Sequence, residues 1–140
     1  HDCWESENGE DDCDQFNRFG PGGNYGWPNA PCGGNHLYID PISTFTPTIA
    51  PTGIVAFRED SIYPTQYHND LLFVDFKAGN LHRIKLALPG LTDLVSHTIA
   101  CNCGHGGLIA VMHGLNVPGQ EGYIYVSNES SILRVVLNKP

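Results

Sequence analysis

Leu71-Leu72-Phe73-Val74-Asp75-Phe76, then Lys77-Ala78-Gly79, then Asn80-Leu81-His82-Arg83-Ile84-Lys85-Leu86 is the stretch on which the fold turns. Both arms are short apolar runs rich in β-branched and aromatic residues, which suits strands. The three residues between them end in Gly79, where a positive φ costs least, so the stretch reads as a β-hairpin. A second copy follows. Leu71–Val74 falls on Tyr123-Ile124-Tyr125-Val126 at an offset of 52, and Leu81–Ile84 falls on Ile132-Leu133-Arg134-Val135 at an offset of 51. One gap in the turn reconciles the two. Tyr123–Ser127 with Ile132–Leu137 is therefore expected to pair as Leu71–Phe76 does with Asn80–Leu86, burying Leu72, Val74, Ile124 and Val126 on shared faces. Thr52–Phe57 and Gly107–Met112 carry the same texture.

A repeat of about fifty residues built from short antiparallel strands is how propeller blades look in sequence. The expected fold is all-β: a β-propeller piece of two to three blades, one domain over residues 1–140, with 1–35 an acidic Gly-rich loop region and 36–140 the blade strands. Closed propellers need at least about four blades, so the chain is expected to be part of a longer protein, or to cover its sheet edges with another chain. Sixteen Gly, ten Pro and one Met make long helical bundles a poor fit.

Seven basic residues against fifteen acidic ones leave a net charge of −8, which disfavours nucleic acid as a partner. Seven acids and one Arg within residues 1–20 put −6 of that charge at the beginning of the chain, where cation chemistry is to be sought. No apolar run reaches membrane-spanning length. Five cysteines (Cys3, Cys13, Cys32, Cys101 and Cys103) and the glycosylation acceptor Asn128-Glu129-Ser130 point to a secreted or extracellular protein. His97, Cys101, Cys103 and His105 match no common zinc spacing, and disulfides are the expected fate of the thiols. Hard cations take oxygen ligands, and Glu7, Glu10, Asp11, Asp12 and Asp14 offer several. Asn24-Tyr25-Gly26-Trp27-Pro28 reads as a rigid corner between blades.

Glu7-Asn8-Gly9, Asp14-Gln15-Phe16-Asn17-Arg18 and Gly22-Gly23-Asn24-Tyr25-Gly26-Trp27-Pro28 carry a family resemblance, as do Pro47–Gly53, Tyr63-Pro64, Asn69–Val74, Gly79 and Arg83–Leu86. In order and spacing these blocks resemble the C-terminal half of the soluble glucose/sorbosone dehydrogenases. Those are six-bladed propellers, many dependent on pyrroloquinoline quinone (PQQ), and they include the Hedgehog-interacting-protein-like propellers. The resemblance implies PQQ-dependent oxidation of aldose sugars, with the catalytic histidine on an upstream blade, so that neither His105 nor His113 inherits it. It further implies calcium held by the carbonyls of Gly9 and Glu10, Lys77 pairing with a cofactor carboxylate, and a Cys13–Cys32 disulfide. Cys3 is then expected to pair with Cys101 or Cys103.

The chain departs from the family pattern at four places. Glu10 stands where the family has Pro, Gln15 where it has Glu, and Thr46 where an aromatic stacks on sugar. Cys103–Gly107 replaces the basic residues of the anion cradle. Weak or no PQQ binding by this chain is the expectation, with calcium retained structurally. The alternative function is a non-catalytic secreted propeller that binds a sugar or glycan, or builds a matrix or filament.

Overall fold

Strand alternation and hairpin turns place ten strands and a single 3₁₀ turn in the computed structural model, which describes residues 3–9, 13–30, 32–57, 62–103, 106–114, 117–119 and 122–136. In chain order the strands are β1 (Cys3–Glu7), β2 (Asp14–Phe19), β3 (Ser43–Phe45), β4 (Pro51–Ala56), β5 (Leu71–Asp75), β6 (Asn80–Leu86), β7 (Leu94–Asn102), β8 (Ala110–His113), β9 (Ile124–Ser127) and β10 (Ile132–Arg134). They form three antiparallel sheets: β1-β2-β3, β4-β5-β6-β7 and β8-β9-β10. The first strands of the sheets are neighbours, with β4 touching β1 on one side and β8 on the other. Each sheet is thus one blade, and the chain is a three-blade piece of a propeller.

Both hairpins form, the second paired one residue away from the register that the repeat offsets imply. Leu72 faces Arg83, Val74 faces Leu81, and across the second hairpin Val126 faces Leu133. Leu72, Val74, Ile124 and Val126 are buried together with Leu81, Leu108 and Val111, filling the seam between the second and third sheets. A second core of Phe16, Phe45, Leu71, Phe73, Ile84 and Leu86 fills the seam between the first and second. Phe73 is its centre: it lies 5.5 Å from the Phe45 ring and 6.2 Å from that of Phe16, and it stacks on His82 at 4.5 Å. At these separations aromatic pairs add to their burial energy.

The structure corrects the reading of residues 1–35 as loops, because β1 and β2 pair along five residues from Cys3↔Phe19 to Glu7↔Gln15. These strands escape a hydrophobic scan because much of what they bury is polar. Asp14, Gln15 and Asn17 are each at most 3% exposed and are held by hydrogen bonds rather than by apolar contact. β7 escapes for the opposite reason, being an edge strand with most of its residues exposed.

Two sheet faces look away from the cores. On the first sheet that face carries Cys3, Glu5 and Glu7, with Phe19 47% exposed. On the third it carries Met112, Tyr125, Arg134 and Ile132, the last 72% exposed.

Candidate functional site

The β5–β6 hairpin presents Lys77 because Asp75 fixes its turn. Asp75 is fully buried, and its Oδ1 accepts the amides of Ala78 at 2.5 Å and Gly79 at 3.0 Å. Its Oδ2 accepts the amide of Asn80 at 3.2 Å and Nε2 of His82 at 2.7 Å. Gly79 takes the positive φ of 71° that the sequence anticipates. Lys77 is exposed on the turn and donates to the Thr48 hydroxyl. With Phe76, Gly106, Gly107, Asn128, Glu129 and Ser130 it lines a cleft of about 550 Å³ between the turns of two neighbouring blades. The amide of Gly107 donates to the Phe76 carbonyl at 2.7 Å, holding that wall in place.

Across the cleft, Asn128 Oδ1 accepts three donors: Ser130 N at 3.0 Å, Ser130 Oγ at 3.3 Å and Ser131 N at 2.8 Å. This Asx turn leaves the amide nitrogen, where a glycan would be attached, without a role in the turn. The site residue that sequence reasoning passed over is Glu129. The repeat offset signals it, since Lys77 advanced by 52 falls on Glu129.

On the first sheet, Gly9 lies in the β1–β2 connection, and its amide donates to Asp14 Oδ1 at 3.0 Å. Asp14 Oδ2 accepts the amides of Ile49 at 2.6 Å and Ala50 at 2.7 Å, so this carboxylate ties β2 to the segment entering β4. Three backbone amides thus donate to this one carboxylate. Glu10, Asp11 and Asp12 lie outside the described residues, as does His105. Glu5, Glu7, Asn8, Asn24, Tyr25 and Trp27 line a second cleft of about 660 Å³. Burial, with Glu5 beside it, pushes the Glu7 carboxyl above its usual value. Tyr25 forms the rigid corner: its hydroxyl accepts the Gly20 amide, donates to the Arg18 carbonyl at 2.8 Å, and its ring stacks on Phe19. Trp27 is 47% exposed at the cleft mouth. Among the described residues, no group of three His, Cys, Asp or Glu is placed to hold a metal ion.

Cys13 and Cys32 form a disulfide, as the resemblance implies. Their separation of 19 residues corresponds to about 3 kcal/mol of stabilisation through the closed loop. The expected pairing of Cys3 with Cys101 or Cys103 does not occur. Cys3 is exposed on the first sheet, whereas Cys101 and Cys103 pack at the other seam. Nε2 of His113 donates to the Ala56 carbonyl, 2.5 Å away, and serves the junction of β8 with β4.

His97 Nε2 lies 2.9 Å from His82 Nδ1, extending the Asp75–His82 pair into a three-residue chain packed on Phe73 and Phe45. With Nε2–H of His82 directed at Asp75, Nδ1 of His82 accepts from His97. Burial, with the charge of His82 second, lowers the His97 pKa below 6.5. Burial alone would raise Asp75, but His82 and the amides of Ala78 and Asn80 outweigh it and hold the carboxyl below 3.8. The unfolded chain therefore takes up a proton at His97 before the folded one does, and stability falls as pH drops below about 6.5. The contribution of Asp75 is present above 3.8 and is lost only as pH falls through its lower folded value. Urea unfolding at pH 7.5 and pH 5.5 should show the first loss, and His97→Phe should flatten it; an unchanged slope in that variant would refute the assignment.

Three blade-like antiparallel sheets side by side, with clefts between their turns, define a section of a β-propeller. Residues 1–131 match the family model Glucose / Sorbosone dehydrogenase, and the chain belongs to that family. Among solved structures it is similar to a Thermus thermophilus protein described as an oxidoreductase (glucose dehydrogenase), with 28% identity and a TM-score of 0.71 over 91% of this chain. Two further structures described as glucose dehydrogenase share the fold at TM-scores of 0.77 and 0.76, with 22% and 23% identity over 97% and 96% of this chain. The chain spans 34%, 40% and 41% of the length of these three relatives. No curated protein matches it.

Proposed function

We propose that the propeller to which this chain contributes binds a sugar, and that the Lys77 cleft is where this section meets it. The observation that carries the reading is the composition of the cleft wall. Phe76 supplies an exposed aromatic surface, and Lys77, Asn128, Glu129 and Ser130 supply donors and acceptors of both signs. Such a wall suits a neutral polyhydroxyl ligand, which stacks one face and hydrogen-bonds around its edge. Membership of the family supports the same substrate class.

PQQ-dependent oxidation of an aldose at its anomeric hydroxyl is the activity the family implies for the whole protein, with calcium as its companion ion. The described residues do not fit that cofactor. PQQ carries three carboxylates, and the described lining of the cleft answers them with one lysine already engaged by Thr48 and one opposing carboxylate, Glu129. A buried anion without partners is costly. The reading favoured for this section is accordingly a secreted, disulfide-bonded, non-catalytic binding propeller, with Asn128 glycosylated and further blades or another chain packing on the first and third sheets.

Calorimetric titration of the full-length protein decides between the readings. With PQQ in excess calcium, little or no heat is expected, and glucose or an oligosaccharide should bind in a way that Phe76→Ala weakens. Micromolar or tighter PQQ binding that Lys77→Ala abolishes would establish the dehydrogenase reading instead.

A further inference from the structure

Cys101 and Cys103 are placed together by strand geometry. Residues two apart on a strand point to the same face, and both side chains reach the core between the second and third sheets. The register shifts beside them: Leu81 faces Cys101 and His82 faces Ile99, so Ala100 is an inserted residue that bends β7 at its end. Beyond the strand, the Cys103 amide donates to the Gly79 carbonyl at 3.2 Å, which holds that sulfur against the β5–β6 hairpin. The two sulfurs lie 2.7 Å apart, well inside the contact distance of separate thiols.

From this contact we infer that Cys101 and Cys103 are a redox pair, closing to a Cys-Asn-Cys disulfide by exchange with a small-molecule disulfide such as oxidised glutathione. Cys101, once deprotonated, attacks one sulfur of the incoming disulfide and releases one thiolate. The Cys103 thiol then loses its proton to solvent and attacks Cys101 Sγ, expelling the second thiolate. The pair gives up two electrons and two protons, and the small disulfide becomes two thiols. Burial, then the hydrogen bond to Cys101 and its charge, push Cys103 up to about 12, which makes Cys103 the slower, resolving sulfur.

The pair begins the 103–107 connection, whose far end forms the cleft wall opposite Lys77. Closing the ring fixes that connection at its root. The assignment also resolves the cysteine arithmetic without Cys3, since Cys13 and Cys32 are already bonded.

The test is non-reducing peptide mapping of the full-length protein after equilibration with oxidised glutathione and alkylation in denaturant. The Cys101–Cys103 peptide is expected unlabelled and two hydrogens lighter than its dithiol, gaining two labels only after reduction. Under the same conditions Cys103→Ser should hold glutathione on Cys101 as a stable mixed disulfide, because the resolving sulfur is gone. Two labels on the wild-type peptide before reduction, or a bond from either residue to Cys3 or to a cysteine elsewhere, would overturn the inference. A Cys103→Ser protein that carries no glutathione would overturn the order of attack.

Discussion

Asp75→Ala is expected to cost about 4 kcal/mol of stability, because one buried carboxylate answers the three turn amides and His82, and charged hydrogen bonds of this kind contribute about 1.5–3 kcal/mol each before compensation. The amides of Gly79 and Asn80 would remain buried without an acceptor. The hairpin would also lose the geometry that presents Lys77. Asp75→Asn keeps one oxygen for Ala78 and Gly79 but turns an NH₂ towards Asn80 and His82, so about half of the loss is expected. Urea denaturation monitored by far-UV circular dichroism measures both. A loss below about 1 kcal/mol in the alanine variant would mean that the turn is held by its backbone alone.

Gly53→Val should be the other large effect. A Cβ at Gly53 would lie 2.8 Å from Ala110 Cα and 2.8 Å from Val111 N, both backbone atoms of the neighbouring blade. Backbone cannot swing aside as a side-chain tip can, so β4 and β8 must separate and open the core around Leu108 and Val111. Overpacking of this kind costs about 1–3 kcal/mol, and the upper end applies here. Gly106→Ala is the control: nothing lies within 4 Å of its added carbon, and its stability should stay close to that of the parent. Equal losses in both variants would show that general glycine effects, not the blade contact, dominate.

The hairpins were legible because short runs rich in β-branched and aromatic residues recur at a near-constant offset and Gly79 marks the turn, and the repeat predicts the burial of Leu72, Val74, Ile124 and Val126. β1 and β2 were not legible from hydrophobicity, because Asp14, Gln15 and Asn17 are buried through hydrogen bonds rather than apolar contact, and those of Asp14 reach far along the chain. Ile49 and Ala50, which bind Asp14, stand 35 and 36 residues away. Lys77 was found on its exposed turn by resemblance, whereas the carboxylate that fixes that turn reads in sequence as one polar residue in an apolar strand. The Cys13–Cys32 bond came from the family pattern, since five cysteines leave many pairings open. Cys101 and Cys103 stand at the spacing that puts two side chains on one face of a strand, but β7 carries too little apolar alternation to be read as one.

The outer faces of the first and third sheets are chemically unlike. A twofold dimer through the first sheet would set Glu5 and Glu7 against their own copies, with like charges opposed across the interface. Through the third sheet it would bring Arg134 against itself amid Met112 and Ile132. A polypeptide that follows the third sheet must offer apolar surface to Met112 and Ile132, whereas one that precedes the first must offer cations or hydrogen-bond donors to the two carboxylates. The outer faces of the first and third sheets therefore differ in the chemistry that each can pack against.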